Sequence, residues 1–316
     1  MIASSLSAAT RGTPRVALVT CQELPDLDPD DRLLLDPLRA RGVRVEAVAW
    51  DDPGADWAGY ELAVLRSAWD YVPRREEFLA WAATVPALAN PAGIVRWNTD
   101  KRYLAELAAA GVPVVPTEWL DPTGPPWVAP GAGEYVVKPA ISAGSLDTGR
   151  YDLAVPEHRA LAERHVARLR AADRVTMVQP YLPAVDTHGE TALLYLGGRF
   201  SHAIRKGPIL DGPDLGTEGL YRPEDISARA PEPAERELAD RVLAKLASTA
   251  KLANTVKPAN ATDLLYARVD LVPGPDGAPL LIELELTEPS LFLGYAPGAA
   301  DRLADAILAR LGARCP

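Results

Sequence analysis

The spacing between strand-like runs changes along this chain, and that change limits the fold more than any other feature. Three short apolar, β-rich runs precede Asn98: RVALVT from Arg15 to Thr20, then VRVEAVAW, then ELAVLRS. The first two are separated by DRLLLDPLRARG, a helical pattern closed by Gly42, and the last two by DDPGADWAGY. Strands alternating with helices predict a parallel α/β sheet. Later runs are joined by turns. GETALLYLGGRFSHAIRK, Gly189 to Lys206, reads as a hairpin about Gly197 and Gly198, since two glycines supply the positive φ of a two-residue primed turn. That register sets Glu190 opposite Arg205. DLLYARVDLV and PLLIELEL flank PGPDGA and form a second hairpin.

Between these regions lie the remaining elements. NTDKRYLAELAAAG predicts a helix capped by Asn98 or Thr99 and running to Gly111. A Pro/Gly-rich loop, DPTGPPWVAPGAG, leads into the strand EYVVKP and at once into ISAGS. After the helical EHRALAERHVARLRAA, the strand RVTMVQPYL ends at Pro180. The loop over residues 207–224 is long, rich in glycine and proline, and expected to be mobile. Two helices, ERELADRVLAKLAST and DRLADAILARLG, complete the chain, and no repeat is visible.

With 33 basic and 43 acidic residues, a net charge of −10 and no long basic run, a nucleic-acid backbone is excluded as partner and a small molecule is expected. Cys21 and Cys315 stand far apart without a CxxC, which suggests neither a disulfide framework nor a thiolate metal site and fits a reducing cytoplasm. The small, polar residues 1–14 read as a disordered extension, and no apolar run reaches the ~18 residues of a membrane span.

Asp270, Glu283 and Glu285 carry the strongest chemical signal. If the second hairpin folds about Asp276, Asp270 faces Glu283, and strand period two adds Glu285 to that face. Opposed like charges destabilise a ladder unless a cation joins them, and an all-oxygen set favours magnesium over zinc. The alternative is three solvated strand-face carboxylates. Lys138 ends a strand just before the Gly/Ser segment with Ser142, Gly144 and Ser145, whose backbone N–H groups could cradle a phosphate. Lys101 falls in the first turn of a helix, where a cation calls for a nearby anion. Gln179, Pro180, Tyr181 and Leu182 form a rigid linker able to meet an adenine edge, with Asp186 placed for ribose hydroxyls; an ordinary hinge is the alternative. RSAWDY follows a parallel strand, where open α/β sheets bind ligands, so Arg66, Ser67, Trp69 and Asp70 are candidate substrate contacts. Arg66 could fork onto a carboxylate, while Trp69 and Tyr71 serve equally as core anchors.

Taken in order, NTDK with Lys101, VVKP with Lys138, SAGS, QPYL, Glu190, HAIRK with Arg205, RVD with Asp270 and IELE with Glu283 and Glu285 resemble the ATP-grasp superfamily from Arg15 to the C-terminus. The resemblance implies an open parallel α/β lobe over residues 15–98 and two α+β lobes, 99–185 and 186–316, clasping ATP. It implies that Lys101, Lys138, Ser142, Gly144, Ser145 and Glu190 serve the nucleotide, that Gln179 to Leu182 form the adenine hinge and that Asp186 meets the ribose. It further implies Mg2+ on Asp270, Glu283 and Glu285, with Arg205, Arg268 and Lys138 stabilising the transferred phosphoryl group. Many members carry Asn where Glu285 stands. RSAWDY, NTDKRYL and ELELTEPSLFL look more narrowly like the cyclo-ligase branch that activates the carboxylate of O-ureido-D-serine and closes D-cycloserine, with Glu288 and Ser290 as substrate contacts on position. The partner implied is a small-molecule carboxylate, in the cytoplasm and away from membranes, and a homodimer is compatible with it.

Overall fold

The structure is a computed structural model that describes residues 12–214, 220, 224–246 and 264–314. The extension expected over residues 1–14 lies outside the described residues as far as residue 11, as do positions 215–219 and 221–223 of the expected mobile loop.

The first sheet has the order β2-β1-β3-β4 and is parallel throughout, formed by β1 (Arg15–Thr20), β2 (Arg44–Ala49), β3 (Leu62–Leu65) and β4 (Leu88–Ala89). Where DRLLLDPLRARG predicted one helix, there are two, α1 (Pro29–Arg32) and α2 (Leu35–Ala40). Pro37 explains the break, because a proline lacks the N–H for the residue four before it and its ring crowds that carbonyl, here at Leu33. The helices α3 (Arg75–Thr84), α4 (Ala92–Asn98) and α5 (Tyr103–Ala109) follow. The helix expected from Asn98 to Gly111 begins only at Tyr103, after a turn that follows α4. Lys101 sits in the intervening turn, its N–H donating to Ala140 O at 2.9 Å, and Asn98 is not a cap but a buried side chain.

The second sheet, order β5-β8-β6-β7, is antiparallel and comprises β5 (Glu118–Leu120), β6 (Glu134–Pro139), β7 (Gly149–Asp152) and β8 (Thr176–Pro180). It is covered by α6 (Pro156–Ala171), whose Ala162, Val166 and Leu169 pack on Val137, Tyr151 and Val178.

After the short α7 (Ala184–His188), a third sheet, order β11-β10-β9-β12-β13, comprises β9 (Glu190–Leu196), β10 (Arg199–Lys206), β11 (Ile226–Arg229), β12 (Tyr266–Pro273) and β13 (Pro279–Glu285). Both of its faces are apolar, because successive side chains of one strand feed different cores. Ala192, Leu194 and Leu196 join Val16, Leu18 and Leu62 of the first sheet and Ile307 of α9 (Ala299–Arg314). Leu193 and Tyr195 join Leu238, Val242 and Leu243 of α8 (Pro233–Leu246). Two buried asparagines stitch the first segment to this sheet. Asn90 donates from Nδ2 to Tyr266 O (3.0 Å) and Leu286 O (2.7 Å) and accepts from Leu265 N (2.8 Å). Asn98 donates to Leu284 O (2.7 Å) and accepts from Leu286 N (2.7 Å).

The β9–β10 turn falls at Gly197 and Gly198, with φ of 56° and 74°, as a primed turn requires. The register beyond it differs from the expected one. A bulge between Phe200 and His202 inserts one residue, so Lys206 and not Arg205 lies opposite Glu190, and Arg205 pairs with Thr191. In the β12–β13 hairpin Asp270 does face Glu283 and Arg268 faces Glu285, with the register shift between Asp270 and Leu271.

Candidate active site

The third sheet's face toward the first sheet is apolar at one end and charged at the other. Following the same alternation past Ala192, Ile204 and Tyr266, the strands present Glu190, Lys206, Arg268, Asp270, Glu283 and Glu285. Most of this charged corner opens into a cavity of about 400 Å³, within the range of small-molecule sites. Lys101, Lys138, Lys206 and Arg268 line it together with Glu190, Glu283 and Glu285.

The cations are held by different means. Lys101 Nζ donates to Ser142 O at 2.7 Å and stands 3.2 Å from Glu283 Oε1, which ties the Gly/Ser loop to β13. Lys206 Nζ lies 2.8 Å from Asp270 Oδ2 and 3.2 Å from Glu190 Oε2. Arg268 donates from Nε and Nη2 to Asp270 at 2.9 and 3.0 Å, and from Nη2 to Glu285. Lys138, on β6, is buried on the cavity wall. Burial lowers its pKa below the ordinary lysine value despite the opposing pull of Glu283. Lys206 moves the other way: burial works against its charge, but Asp270 and Glu190 outweigh that and raise it. Lys206 was not among the residues expected from the sequence. In HAIRK two adjacent cations fit the strand pattern equally, and only the bulge decides which one faces the cavity.

Arg205 is therefore corrected. It does not line the cavity; its Nε donates to His188 O at 2.8 Å. The variant Arg205→Ala is expected to keep ADP release within about twofold of the parent, since substitutions away from such features rarely exceed ~0.5 kcal/mol. A loss of about tenfold or more in steady-state assays would return Arg205 to the site.

Asp270 also differs from expectation. It is fully buried, does not line the cavity, and its carboxylate is held by Lys206 and Arg268 rather than shared with Glu283 and Glu285 around an ion. Among the described residues no three His, Cys, Asp or Glu side chains are grouped to hold a metal. Part of the counter-charge expected from a cation thus comes from the protein. A hard divalent ion still fits Glu283 and Glu285. Burial and then the neighbouring Glu283 and Asp270 push Glu285 up to about 7 in spite of Arg268, and a cation beside it would favour its charged form.

The Gly/Ser loop contributes Ser142, Ala143, Gly144 and Ser145 to the wall, with Gly144 and Ser145 both left-handed at φ of 60° and 59°. Gln179, Pro180, Tyr181 and Leu182 line the cavity beside Val115, Val136, Val185, Leu210 and Ile282, an apolar slot suited to a flat ring. The Tyr181 amide is committed to Glu134 O at 2.8 Å. Asp186 does not reach this slot. It accepts from Tyr181 Oη (2.5 Å) and pairs with Arg150 (3.0 Å), because the short α7 turns it toward β7.

At the other end the predicted residues separate. Trp69, Glu288 and Ser290 line the cavity, whereas Arg66, Ser67 and Asp70 do not. Arg66 forks as expected, but onto the chain itself, with Nε to Asp31 Oδ1 at 2.9 Å and Nη2 to Pro289 O at 2.5 Å. Ser67 donates to Asp31 (2.7 Å), and Asp70 accepts from Trp50 Nε1 (2.7 Å) and Arg74 (2.6 Å). Burial, with the charge of Glu285, pushes Glu288 up to about 8.

Residues 16–92 match the family model described as D-cycloserine synthetase DcsG, N-terminal domain. The chain is 40% identical over 307 residues to the cycloserine biosynthesis protein DcsG of Streptomyces lavendulae, covering 94% of this chain and 98% of that protein. The crystal structure of D-cycloserine synthetase DcsG superposes with a TM-score of 0.80 at 38% identity, covering 94% of this chain and 99% of that one. The ATP-grasp ligase PsnB, complexed with minimal precursor, Mg and ADP, shares the fold at a TM-score of 0.56 and 19% identity, over 94% and 98% of the two chains. No helix among the described residues is long and apolar enough to cross a membrane.

Proposed function

The chain belongs to the D-cycloserine synthetase family of ATP-grasp ligases, and from that premise we propose that it uses ATP to close O-ureido-D-serine into D-cycloserine. It is an ATP-dependent carbon–nitrogen ligase. The observation that carries the reading is the one-sided cavity, in which Lys101, Lys138, Lys206 and Arg268 converge beside Glu283 and Glu285 next to an apolar slot.

In this reading the adenine lies in the slot at Gln179 to Leu182, and the phosphates run along the 142–145 loop toward the lysines. Glu283 and Glu285 would hold Mg2+, which when bound supplies charge neutralisation for phosphoryl transfer. Lys101, Lys138 and Lys206 fix the phosphates, and Arg268, oriented by Asp270, faces the substrate carboxylate as it takes up the γ-phosphoryl group. Ile209, Leu210 and Leu220 line the wall and help exclude water from the acyl phosphate. The oxygen-linked nitrogen of the ureido group then attacks the acyl carbon and gives up its proton, and phosphate leaves with the electrons of the cleaved acyl C–O bond. Loss of the carbamoyl group with one water, as carbon dioxide and ammonia, balances the conversion to D-cycloserine.

The test is magnesium-dependent ADP release with O-ureido-D-serine as the only co-substrate, the product identified by mass. ADP together with D-cycloserine is the expected result. ADP release only after an amine is added would replace ring closure by intermolecular ligation.

A further inference from the structure

Three successive carbonyls past β13 are each held by a side chain from another part of the chain. Trp69 Nε1 donates to Glu288 O at 2.9 Å, Arg66 Nη2 to Pro289 O at 2.5 Å, and Arg268 Nη1 to Ser290 O at 3.1 Å. Segment 288–290 is therefore a fixed rail, and it presents Glu288 and Ser290 at the cavity wall. The Glu288 carboxyl takes a hydrogen bond from the Tyr71 hydroxyl, while its Oε2 atom is enclosed and has no hydrogen-bond partner among the described residues. Other carboxylates at this end are satisfied differently. Both oxygens of Asp30 accept backbone N–H groups, from Gly294 and Leu293 at 2.8 Å, and Asp28 accepts from Asp30 N at 2.9 Å. A carboxylate oxygen withdrawn from water without a partner is costly, and on a cavity wall a ligand donor can supply what is missing.

We infer that Glu288 anchors the ammonium group of an α-amino-acid substrate, and that this contact brings the adjoining carboxylate to Arg268. The inference rests on the proposed function and adds to it the group by which the substrate is chosen. Arg268 is bonded to the same rail two residues from Glu288, so one short molecule with an ammonium and a carboxylate on the same carbon can engage both. Trp69 and Phe292 also line this end, the ring of Phe292 being faced by the Arg268 guanidinium at 5.6 Å. Because the rail is held before any ligand arrives, little ordering cost is left for binding.

The experiment compares the parent enzyme and Glu288→Gln with two substrates, O-ureido-D-serine and its analogue lacking only the amine, 3-(ureidooxy)propanoate. In the parent, removal of the amine is expected to lower kcat/KM by about 10- to 100-fold, the range for a charge-assisted hydrogen bond. Glu288→Gln is expected to raise KM for the amino substrate by a similar factor, to treat the two compounds within about threefold of each other, and to keep the KM for ATP. The unchanged ATP constant reports an intact fold. A variant that keeps the parent's full preference for the amino compound overturns the inference while the ring-closing function stands. A parent enzyme that releases no ADP with O-ureido-D-serine overturns the proposed function itself, and this inference with it.

Discussion

Replacing Glu283 by Gln is expected to lower magnesium-dependent ADP release by about 10³-fold, equivalent to ~4 kcal/mol of transition-state stabilisation, while the protein stays folded. Glu283 lines the cavity, lies 3.2 Å from Lys101, and faces Asp270 across the hairpin. Burial alone would favour its neutral form, but Lys101 and Lys138 hold its pKa below the ordinary carboxylate value, so it enters the reaction as an anion. The amide keeps the shape and one acceptor but removes that charge, and with it the hard oxygen donor a divalent ion prefers. Two cations on the wall then lose their counter-charge at once, and a nucleotide bound by them is held in a different place. Steady-state ADP release over a magnesium series, with circular dichroism for the fold, is the check. A normal rate with full magnesium dependence would remove Glu283 from the metal-binding role.

The second large effect concerns stability. Asn90→Ala is expected to lower the free energy of unfolding by about 3–9 kcal/mol, because it strips partners from three buried backbone groups at ~1–3 kcal/mol each. Asn90 is fully buried and bonds the carbonyls of Tyr266 and Leu286 and the N–H of Leu265. Those residues begin β12 and follow β13, so the same side chain that closes the first sheet also fixes the strands bearing Arg268, Glu283 and Glu285. Denaturant titration followed by near-ultraviolet circular dichroism measures the loss. A midpoint within the error of the parent would mean that the three groups find other partners.

Much of the architecture was legible because it is written in local patterns. The helix-spaced runs before Asn98 give the parallel sheet, and the Gly197-Gly198 pair places the turn of the first late hairpin. The carboxylates of β12 and β13 were legible as one face because period two survives in a short hairpin with an obvious turn. What was not legible depends on partners distant in the chain. Arg66 has every sequence attribute of a substrate-binding arginine, yet Asp31 and Pro289 occupy it. Asp186 sits where a ribose contact is expected, yet Arg150, from another strand, draws it away. Asn98 reads as a cap residue, and its role as a clamp, like that of Asn90, depends on residues some 190 positions later. Pro37, by contrast, was a local signal for a broken helix that the apolar run around it obscured.

The bulge between Phe200 and His202 has a consequence for the kinds of genetic change this enzyme can absorb. The order of charges in the cavity depends on how many residues stand between the glycine turn and Lys206, and less on which residues they are. Most substitutions at Ser201 leave that count alone. Insertion of a single codon there, with the one-residue bulge kept, would bring Arg205 to the place opposite Glu190 and turn Lys206 away from Asp270, changing the active centre without altering any residue in it. For this hairpin, length is inherited as strictly as identity.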